Sequence, residues 1–229
     1  MSLRTHDGDR QFRLARKWSN AHLRLIAPAC AGRIVNVSAG DDEDKEGSTY
    51  ESYFSGATTY TLTNIHAAFR GYQGRPNEIP LDLTDPLPPG LAGSFDVVFN
   101  HTTLEHVFDV QTAFRTLCEL SADLVIVVVP FAQVQHENVG YQDFWRFTPT
   151  CLRALFAEHD FEVVYEAAND DFNASVYLFV VGSRNAERWR GRFPAWQPLE
   201  KAASWIGSRR RPLATVRRWL GRLLPGRTA

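Results

Sequence analysis

The sequence has few cysteines and no long apolar run, and each shortage excludes a class of protein. The three cysteines, Cys30, Cys118 and Cys151, are odd in number and scattered, which argues against a disulfide framework and against a metal site with cysteine spacing. No apolar run approaches the roughly 20 residues that cross a bilayer. Residues 1–30 lack the apolar core and the cleavage site of a secretory signal. Together these absences predict a cytoplasmic protein.

Charged side chains are distributed unevenly, although the net charge of the 229-residue chain is only −1. Residues 1–183 carry 13 basic and 24 acidic side chains, whereas residues 184–229 carry 12 basic and 2 acidic ones. Four of the six tryptophans also lie in the second segment. Leucines recur there at helical spacing beside arginines, a pattern typical of a helix that lies in a membrane interface. We therefore predict a basic, tryptophan-rich helical tail over residues 184–229.

The composition of this tail suggests what it binds. An anionic membrane surface would make the protein peripheral on the inner face of the membrane. Docking onto the acidic body of the protein, or onto a partner protein, is the alternative. Nucleic acid is not expected as a partner, because the tail has no RNA- or DNA-binding motif, although its charge could neutralise phosphates.

Short β-rich runs alternate with helical segments in the rest of the chain. Apolar residues between 12 and 26 recur at helical spacing, which predicts an amphipathic helix within residues 1–29. Thr148-Pro149 combines a side-chain N-cap with proline at the first helical position, so a helix should begin there. The strands predicted within the main domain, residues 30–183, are 33–39, 59–65, 78–83, 95–101, 124–131, 161–167 and 175–182. This alternation predicts an α/β domain with a seven-stranded, mostly parallel, doubly wound sheet.

Polar residues follow two of the predicted strands at the point where each strand ends. Residues 94–107 read SFDVVFNHTTLEHV, a buried strand that ends in polar side chains, and residues 129–149 read VPFAQVQHENVGYQDFWRFTP. In an open parallel sheet, ligands bind just beyond the carboxyl ends of the strands. These two stretches therefore indicate where a candidate site lies, although they do not yet indicate which reaction takes place there.

With a glycine-bearing turn after the first strand and a carboxylate after the third, the same stretches resemble the class I S-adenosylmethionine-dependent methyltransferases over residues 30–183. Residues 129–149 are similar to a stretch in a bacterial subgroup associated with surface-sugar and glycan pathways. The resemblance implies a Rossmann-like fold, S-adenosyl-L-methionine as cofactor and a small-molecule or glycan acceptor. The implied reaction is O-methylation of a sugar, a sugar nucleotide or a lipid-linked glycan.

The resemblance also assigns cofactor-binding positions, and this chain departs from several of them. Only Gly40 matches the family's glycine loop, since Ser38 and Asp42 replace the other two glycines. Asn64 stands where the family has a carboxylate for the ribose hydroxyls. The implied cofactor-binding residues are Asn36, Ser38, Gly40, Asn64, Asp82, Leu83 and Asn100. The departures leave a second hypothesis open, a catalytically inactive methyltransferase-like binding or scaffold protein that acts through its tail.

Histidine is the side chain whose pKa begins near neutrality, so it is the expected general base for a hydroxyl acceptor. His136 is the first choice and His101 the second, with Asp143 as a further catalytic or sugar-binding residue. Trp145 and Arg146 would stack on a sugar and hold a phosphate. The alternative is that Asp143 pairs with Arg146 while Trp145 packs in the core.

Two further segments have more than one interpretation. The acidic residues 41–54 are either a solvated loop or an aromatic lid in which Tyr53 contacts the substrate. Glu105 and His106 either cap the following helix or, with His136, form a weak metal site, although the first glutamate of the relatives' metal motif is replaced by Thr102. The primary expectation is that no metal is bound.

Overall fold

The computed structural model describes residues 4–67, 71–169 and 175–199, and for residues 4–12 it describes the backbone only. Seven strands form one sheet in the spatial order 3-2-1-4-5-7-6. The strands are β1 (Ala31–Val37), β2 (Gly56–Asn64), β3 (Glu78–Pro80), β4 (Phe95–His101), β5 (Ser121–Ala132), β6 (Glu162–Ala168) and β7 (Val176–Ser183). Each of them overlaps one of the predicted strands.

The sheet is mixed, which corrects the prediction of a mostly parallel one. β1 to β5 pair with parallel neighbours, whereas β7 runs antiparallel to both β5 and β6. The reason is the short connection between β6 and β7, residues 169–175. A parallel pair needs a crossover of a dozen or more residues, so a connection of this length leaves only the antiparallel arrangement.

Helices cover both faces of the sheet, as a doubly wound fold requires. α2 (Val110–Leu120) and α3 (Pro149–Glu158) pack on one face, and α1 (Arg4–Ile26) and α4 (Ala186–Trp189) on the other. The predicted start of α3 is confirmed, since the Thr148 hydroxyl accepts a hydrogen bond from the Cys151 amide at 3.1 Å. The predicted N-terminal helix is also present.

No helix connects β1 to β2, and residues 38–55 form a loop with a single 3-10 turn at Glu51–Tyr53. Its aromatic residues Tyr50 and Phe54 are 3% exposed and lie 5.1 and 5.8 Å from the Phe99 ring of β4. The loop therefore contributes to the core, where α1 covers the same face. The interpretation of residues 41–54 as a solvated loop holds for residues 41, 43, 45–49, 51 and 52, which are exposed, but not for the buried residues 42, 44, 50, 53 and 54.

The first part of the predicted tail belongs to the folded body. Trp189 is only 4% exposed, stacks on Phe193 at 5.2 Å and donates from Nε1 to Asp123 Oδ2 at 3.0 Å. Residues 200–229 of the predicted basic helical tail lie outside the described residues. Among the helices that the structure describes, none is both long enough and apolar enough to cross a bilayer.

Candidate functional site

A cavity of about 730 Å³ opens at the carboxyl ends of β1, β2 and β4. The chain order of the sheet reverses between β1 and β4, which is where open α/β sheets bind their ligands. Its volume lies within the ~300–1,000 Å³ that is usual for small-molecule sites. The lining residues are Arg13, Arg16, Asn36, Ser38, Ala39, Gly40, Asp41, Glu43, Lys45, Tyr50, Asn64, Ile65, His101, Thr102, Thr103, Glu105, His106, Gln133, His136, Gly140, Tyr141 and Tyr177.

The loop after β1 forms one wall of the cavity and has an unusual backbone. Ser38, Gly40 and Asp42 have φ angles of 57°, 57° and 60°, which place alternate residues in the left-handed region. Only glycine adopts this region without steric cost, and another residue there costs roughly 1–2 kcal/mol. The chain therefore keeps a glycine-type backbone path at two positions where it has no glycine.

Hydrogen bonds to the Asp42 carboxylate hold this strained path. Oδ1 accepts from Asn36 Nδ2 at 2.7 Å and from the Tyr60 hydroxyl at 2.9 Å, and Oδ2 accepts from the Glu51 amide at 3.1 Å. Burial raises the pKa of Asp42 even though these donors oppose the shift. Asn36 was predicted to bind cofactor, and its amide nitrogen is here used to fix the loop.

Asn64 at the end of β2 is held in place by its neighbours on both sides. Its Oδ1 accepts from the Gly40 amide at 2.7 Å, and its Nδ2 donates to the Gly40 carbonyl at 3.1 Å and to Glu78 Oε1 at 2.6 Å. A carboxylate could not donate either of the last two bonds. The two acceptors, the Gly40 carbonyl and Glu78, therefore explain why an amide rather than a carboxylate occupies position 64.

Three of the predicted cofactor residues do not line the cavity. Asp82 accepts two hydrogen bonds from Thr84, from the amide and the hydroxyl, both at 2.8 Å. Leu83 is buried in the core, and Asn100 is fully buried with its Nδ2 bonded to the Val37 carbonyl at 2.9 Å. Their roles remain predictions, whereas Asn36, Ser38, Gly40 and Asn64 are brought together at the cavity.

His101, predicted as a second base, lines the cavity but is already bonded through both ring nitrogens. Nδ1 lies 3.0 Å from Arg16 Nη1, and Nε2 lies 2.9 Å from Ser19 Oγ. A guanidinium only donates, so Nδ1 accepts and the hydrogen is on Nε2. Burial and the Arg16 charge hold the pKa of His101 well below its ordinary value. His101 is therefore a neutral residue that contacts Arg16, and its role as a second base remains a prediction.

His136 lines the cavity, and its side chain lies beside that of Asp143. Nδ1 of His136 lies 3.3 Å from Asp143 Oδ2, and the His136 amide donates to the same oxygen at 2.9 Å. Arg146 binds the Asp143 carboxylate with two bonds, of 2.5 and 2.6 Å. Burial alone would raise the pKa of Asp143, but the donors from Arg146 and His136 outweigh it and lower the pKa to about 2.

The pairing of Asp143 with Arg146 confirms the alternative interpretation of these two residues. The Asp143 side chain is fully buried, and neither residue lines the cavity. Asp143 therefore contacts His136 rather than an acceptor, and Arg146 is occupied by Asp143. A direct phosphate-binding role for Arg146 is not supported by this geometry.

Glu105 and His106 do not cap the helix that follows them. The N-cap of α2 is Asp109, which accepts from the Thr112 amide at 3.2 Å. Glu105 is fully buried against the cavity, and neither of its carboxyl oxygens has a hydrogen-bond partner among the described residues. Burial raises the pKa of Glu105 to about 8.

His106 has a defined tautomer. Its Nδ1 lies 2.6 Å from the Gln142 carbonyl and donates to it, which leaves a lone pair on Nε2, 3.8 Å from Glu105 Oε1. The His106 and His136 rings are 4.9 Å apart. Within the described ranges, no group of three or more histidine, cysteine or acidic residues could hold a metal ion, so the alternative site at Glu105, His106 and His136 is not formed.

The two aromatic residues predicted to contact substrate lie outside the cavity. The Tyr53 side chain is 8% exposed, and its hydroxyl bonds to Asp44 and accepts from Arg24 at 2.5 Å. Trp145 is 37% exposed, and its Nε1 donates to the Val107 carbonyl at 2.9 Å. Neither the substrate role nor, for Trp145, the core alternative is supported by these positions.

Several cavity residues were not identified from the sequence. Arg13 and Arg16 come from α1, and Tyr141 and Tyr177 come from two different segments. Arg13 and Arg16 are three residues apart on a predicted helix and so share one of its faces, which is a signal that the sequence does contain. Nothing local marks the tyrosines, because their positions depend on how distant segments pack.

The fold is shared with several solved methyltransferases. No protein-family model and no curated protein matches the sequence. Magnesium protoporphyrin IX methyltransferase from Synechocystis PCC 6803, crystallised with S-adenosylmethionine, has 12% identity and a TM-score of 0.52 over 80% of this chain and 86% of that one. An S-adenosylmethionine-dependent methyltransferase from Mesorhizobium loti has 14% identity and a TM-score of 0.52 over 74% and 98%.

A third structure is the 1,6-didemethyltoxoflavin-N1-methyltransferase of Burkholderia thailandensis, bound to 1,6-didemethyltoxoflavin and S-adenosylhomocysteine. It has 14% identity and a TM-score of 0.51 over 78% of this chain and 85% of that one. Identities this low establish a common architecture and leave the substrate open. The chain has the fold of the S-adenosylmethionine-dependent methyltransferases.

Proposed function

We propose that the protein is an S-adenosylmethionine-dependent methyltransferase that O-methylates a sugar, a sugar nucleotide or a lipid-linked glycan. The observation that carries the proposal is the cavity at the reversal of strand order, with the left-handed loop of Ser38, Gly40 and Asp42 as one wall. Two solved proteins of the same fold bind S-adenosylmethionine or S-adenosylhomocysteine.

The residues at this wall fit the cofactor. Ser38, Ala39 and Gly40 are small and line the cavity, so a ligand can approach their backbone closely. Asn64 offers a second lone pair on Oδ1 at the end of β2, although it lacks the charge of a carboxylate. When bound, the cofactor supplies an electrophilic methyl group.

His136 is the proposed base that takes the proton from the acceptor hydroxyl. Asp143 Oδ2 lies 3.3 Å from Nδ1 of His136, and Gln133 Nε2 lies 3.0 Å from the same nitrogen, so these two neighbours hold the ring at the cavity. Arg146 keeps Asp143 ionised and oriented through its two hydrogen bonds. Asp143 and Arg146 thus position the base, and they do so without touching the acceptor.

The lining of the cavity supports a polar acceptor such as a sugar. Tyr141 and Tyr50 present aromatic rings, and Thr102, Thr103 and Gln133 present hydroxyl and amide groups. Aromatic faces contact the apolar C–H surface of a sugar ring, while hydroxyls and amides bond to its oxygens.

Calorimetry with S-adenosylhomocysteine tests the proposal directly. We expect micromolar binding to the full chain, and a loss of at least ~10-fold for Ala39→Trp, because a large ring at this position fills the cavity. Ala21→Trp is the matched control, since Ala21 is exposed on α1 and does not line the cavity. Equal affinities for the two variants would contradict the assignment of the site.

A catalytically inactive binding or scaffold protein is the second candidate. The observation that favours it is the Asn64 amide, whose two hydrogens and one oxygen lone pair are already bonded to Gly40 and Glu78. The same calorimetry separates the candidates, because absence of binding at millimolar S-adenosylhomocysteine would favour the scaffold.

A further inference from the structure

Arg16 is half-buried, and the side chains that accept hydrogen bonds from its guanidinium among the described residues are all neutral. It donates to the Tyr50 hydroxyl at 2.9 Å, to His101 Nδ1 at 3.0 Å and to Thr102 Oγ1 at 3.1 Å. None of the ion pairs in the described part of the chain includes Arg16, yet it lines the cavity. A desolvated charge with no counter-charge is costly, so this position favours an anionic ligand.

The carboxylates of the cavity do not supply the missing counter-charge. Asp41 is paired with Arg75 at 2.7 Å, and Glu43 is paired with Lys45 at 2.7 Å. Glu105 is the remaining carboxyl. Its oxygens have no hydrogen-bond partner among the described residues, and burial raises its pKa to about 8 although the Arg16 charge opposes the shift. Asp41 and Glu43 are thus paired with other cations, and burial favours the uncharged form of Glu105.

A second guanidinium lies on the same side of the cavity. Arg13 precedes Arg16 by three residues on α1, lines the cavity and takes part in no ion pair among the described residues. Residues three apart on a helix are neighbours on its surface. The α1 wall therefore presents two positive charges, and Arg16 is fixed by three hydrogen bonds.

The position of Arg16 separates this wall from the proposed cofactor wall. His101 ends β4 and Thr102 follows it, whereas Asn64 ends β2 on the other side of β1. Neighbouring strands are about 4.8 Å apart, so two strand spacings, about 10 Å, lie between the ends of β2 and β4. The Arg16 side of the cavity is thus the side left for the acceptor.

We propose that Arg16, with Arg13, binds an anionic oxygen group of the acceptor, either a phosphate or a carboxylate. The guanidinium group suits these anions because its planar set of donors matches their oxygens. Glu105 lines the same cavity with both carboxyl oxygens unbonded among the described residues, so in its protonated form it can donate a further hydrogen bond to such a group. The assignment of the anion to the acceptor rests on the proposed function, whereas the anion site itself does not.

Inorganic phosphate is the probe, titrated against the full chain by ³¹P NMR with and without saturating S-adenosylhomocysteine. We expect saturable phosphate binding in the millimolar range that persists when S-adenosylhomocysteine is present. Arg16→Lys should weaken it by at least ~10-fold, because lysine keeps the charge but loses the paired donors. Arg13→Gln, on an exposed side chain, should weaken it by about 3-fold through loss of one charge.

Lys17→Gln is the matched control, since it removes one positive charge from an exposed neighbour on the same helix that does not line the cavity. It should leave phosphate binding unchanged. No saturable binding by the wild-type chain would overturn the proposal, and so would an equal effect of Lys17→Gln and Arg13→Gln.

The carboxylate of the cofactor is the competing source of the anion. In that case phosphate would compete with S-adenosylhomocysteine for binding. Arg16→Lys would also weaken the binding of S-adenosylhomocysteine but not that of 5′-methylthioadenosine, which has no carboxylate. Those results would overturn the assignment to the acceptor. Phosphate binding without any binding of S-adenosylhomocysteine would instead contradict the proposed function and leave the anion site standing.

Discussion

Glu105 is the side chain at the cavity whose protonation depends most clearly on folding. Burial raises its pKa from 4.5 to about 8, so the folded protein holds a proton that the unfolded chain releases between these values. The folded state is then the one that binds more protons, and its stability falls as pH rises through this window. The slope from this one group is up to about 1.4 kcal/mol per pH unit.

Glu105→Gln removes this dependence, because glutamine does not ionise. We expect the free energy of unfolding of the variant to exceed that of the wild type progressively from pH 5 to pH 8. Urea denaturation of both proteins at pH 5, 6.5 and 8 measures the difference. Two curves that stay parallel across this range would show that Glu105 is ionised in the folded protein.

Individual site residues were predictable from the sequence only when they follow a strand. His136, Asn64 and Gly40 could be placed at the cavity because each lies beyond the carboxyl end of a predicted strand. The contact between Arg16 and His101 joins residues that are 85 positions apart, so no local pattern announces it. The role of Asp143 likewise depends on its contacts in the fold. Because its carboxylate is bound by Arg146, it can orient His136 but does not contact an acceptor.

At the scale of elements, the loop between β1 and β2 depends on a second buried carboxylate besides Asp42. Asp44 is fully buried, and its Oδ1 accepts from the amides of Glu46 at 2.7 Å and Ser48 at 3.0 Å. Its Oδ2 accepts from the Tyr53 hydroxyl. Asp44→Ala should destabilise the protein by about 2–4 kcal/mol, because it leaves buried donors without partners.

Glu43→Ala provides the comparison for this prediction. Glu43 is adjacent but exposed, and its ion pair with Lys45 is a surface one, so we expect a change below about 0.5 kcal/mol. Urea denaturation gives both values, and amide hydrogen exchange at residues 46 and 48 should be accelerated only by Asp44→Ala. Similar losses for both variants would mean that the loop is not held by Asp44.

The elements themselves were largely predictable, for reasons that differ among them. α3 begins at its predicted cap because Thr148-Pro149 acts through local hydrogen bonding and backbone geometry. The strands were found from their apolar runs, but such a pattern carries no information on strand direction, so the antiparallel pairing of β7 with β5 was not predicted. Residues 38–55 form no helix because buried hydrogen bonds to the Asp42 and Asp44 carboxylates hold them as a loop. Helix propensities of single residues do not take such long-range bonds into account.

At the scale of the whole molecule, the folded domain extends beyond residue 183, where the change in charge placed its boundary. Trp189 and Phe193 pack in the core, and Trp196 lies 6.5 Å from the Tyr165 ring. A boundary at residue 183 would therefore cut through the folded body. A chain that ends at Leu199 retains these contacts and is the appropriate truncation.

We propose that residues 200–229 bind an anionic membrane surface, where their arginines would meet lipid headgroups and their leucines the acyl boundary. Flotation with vesicles that contain anionic lipid should recover the full chain but not the chain of residues 1–199. Circular dichroism of the shorter chain confirms that it is folded. Equal recovery of the two chains would exclude a membrane role, and a partner protein would then be the alternative.

The backbone angles of Ser38 and Asp42 have a consequence for how such proteins are found. A glycine pattern is a record of backbone conformation, and here the conformation persists with serine and aspartate in place of glycine. A sequence motif that requires glycine at these positions is therefore not met by this chain, although the backbone path that such a motif describes is kept.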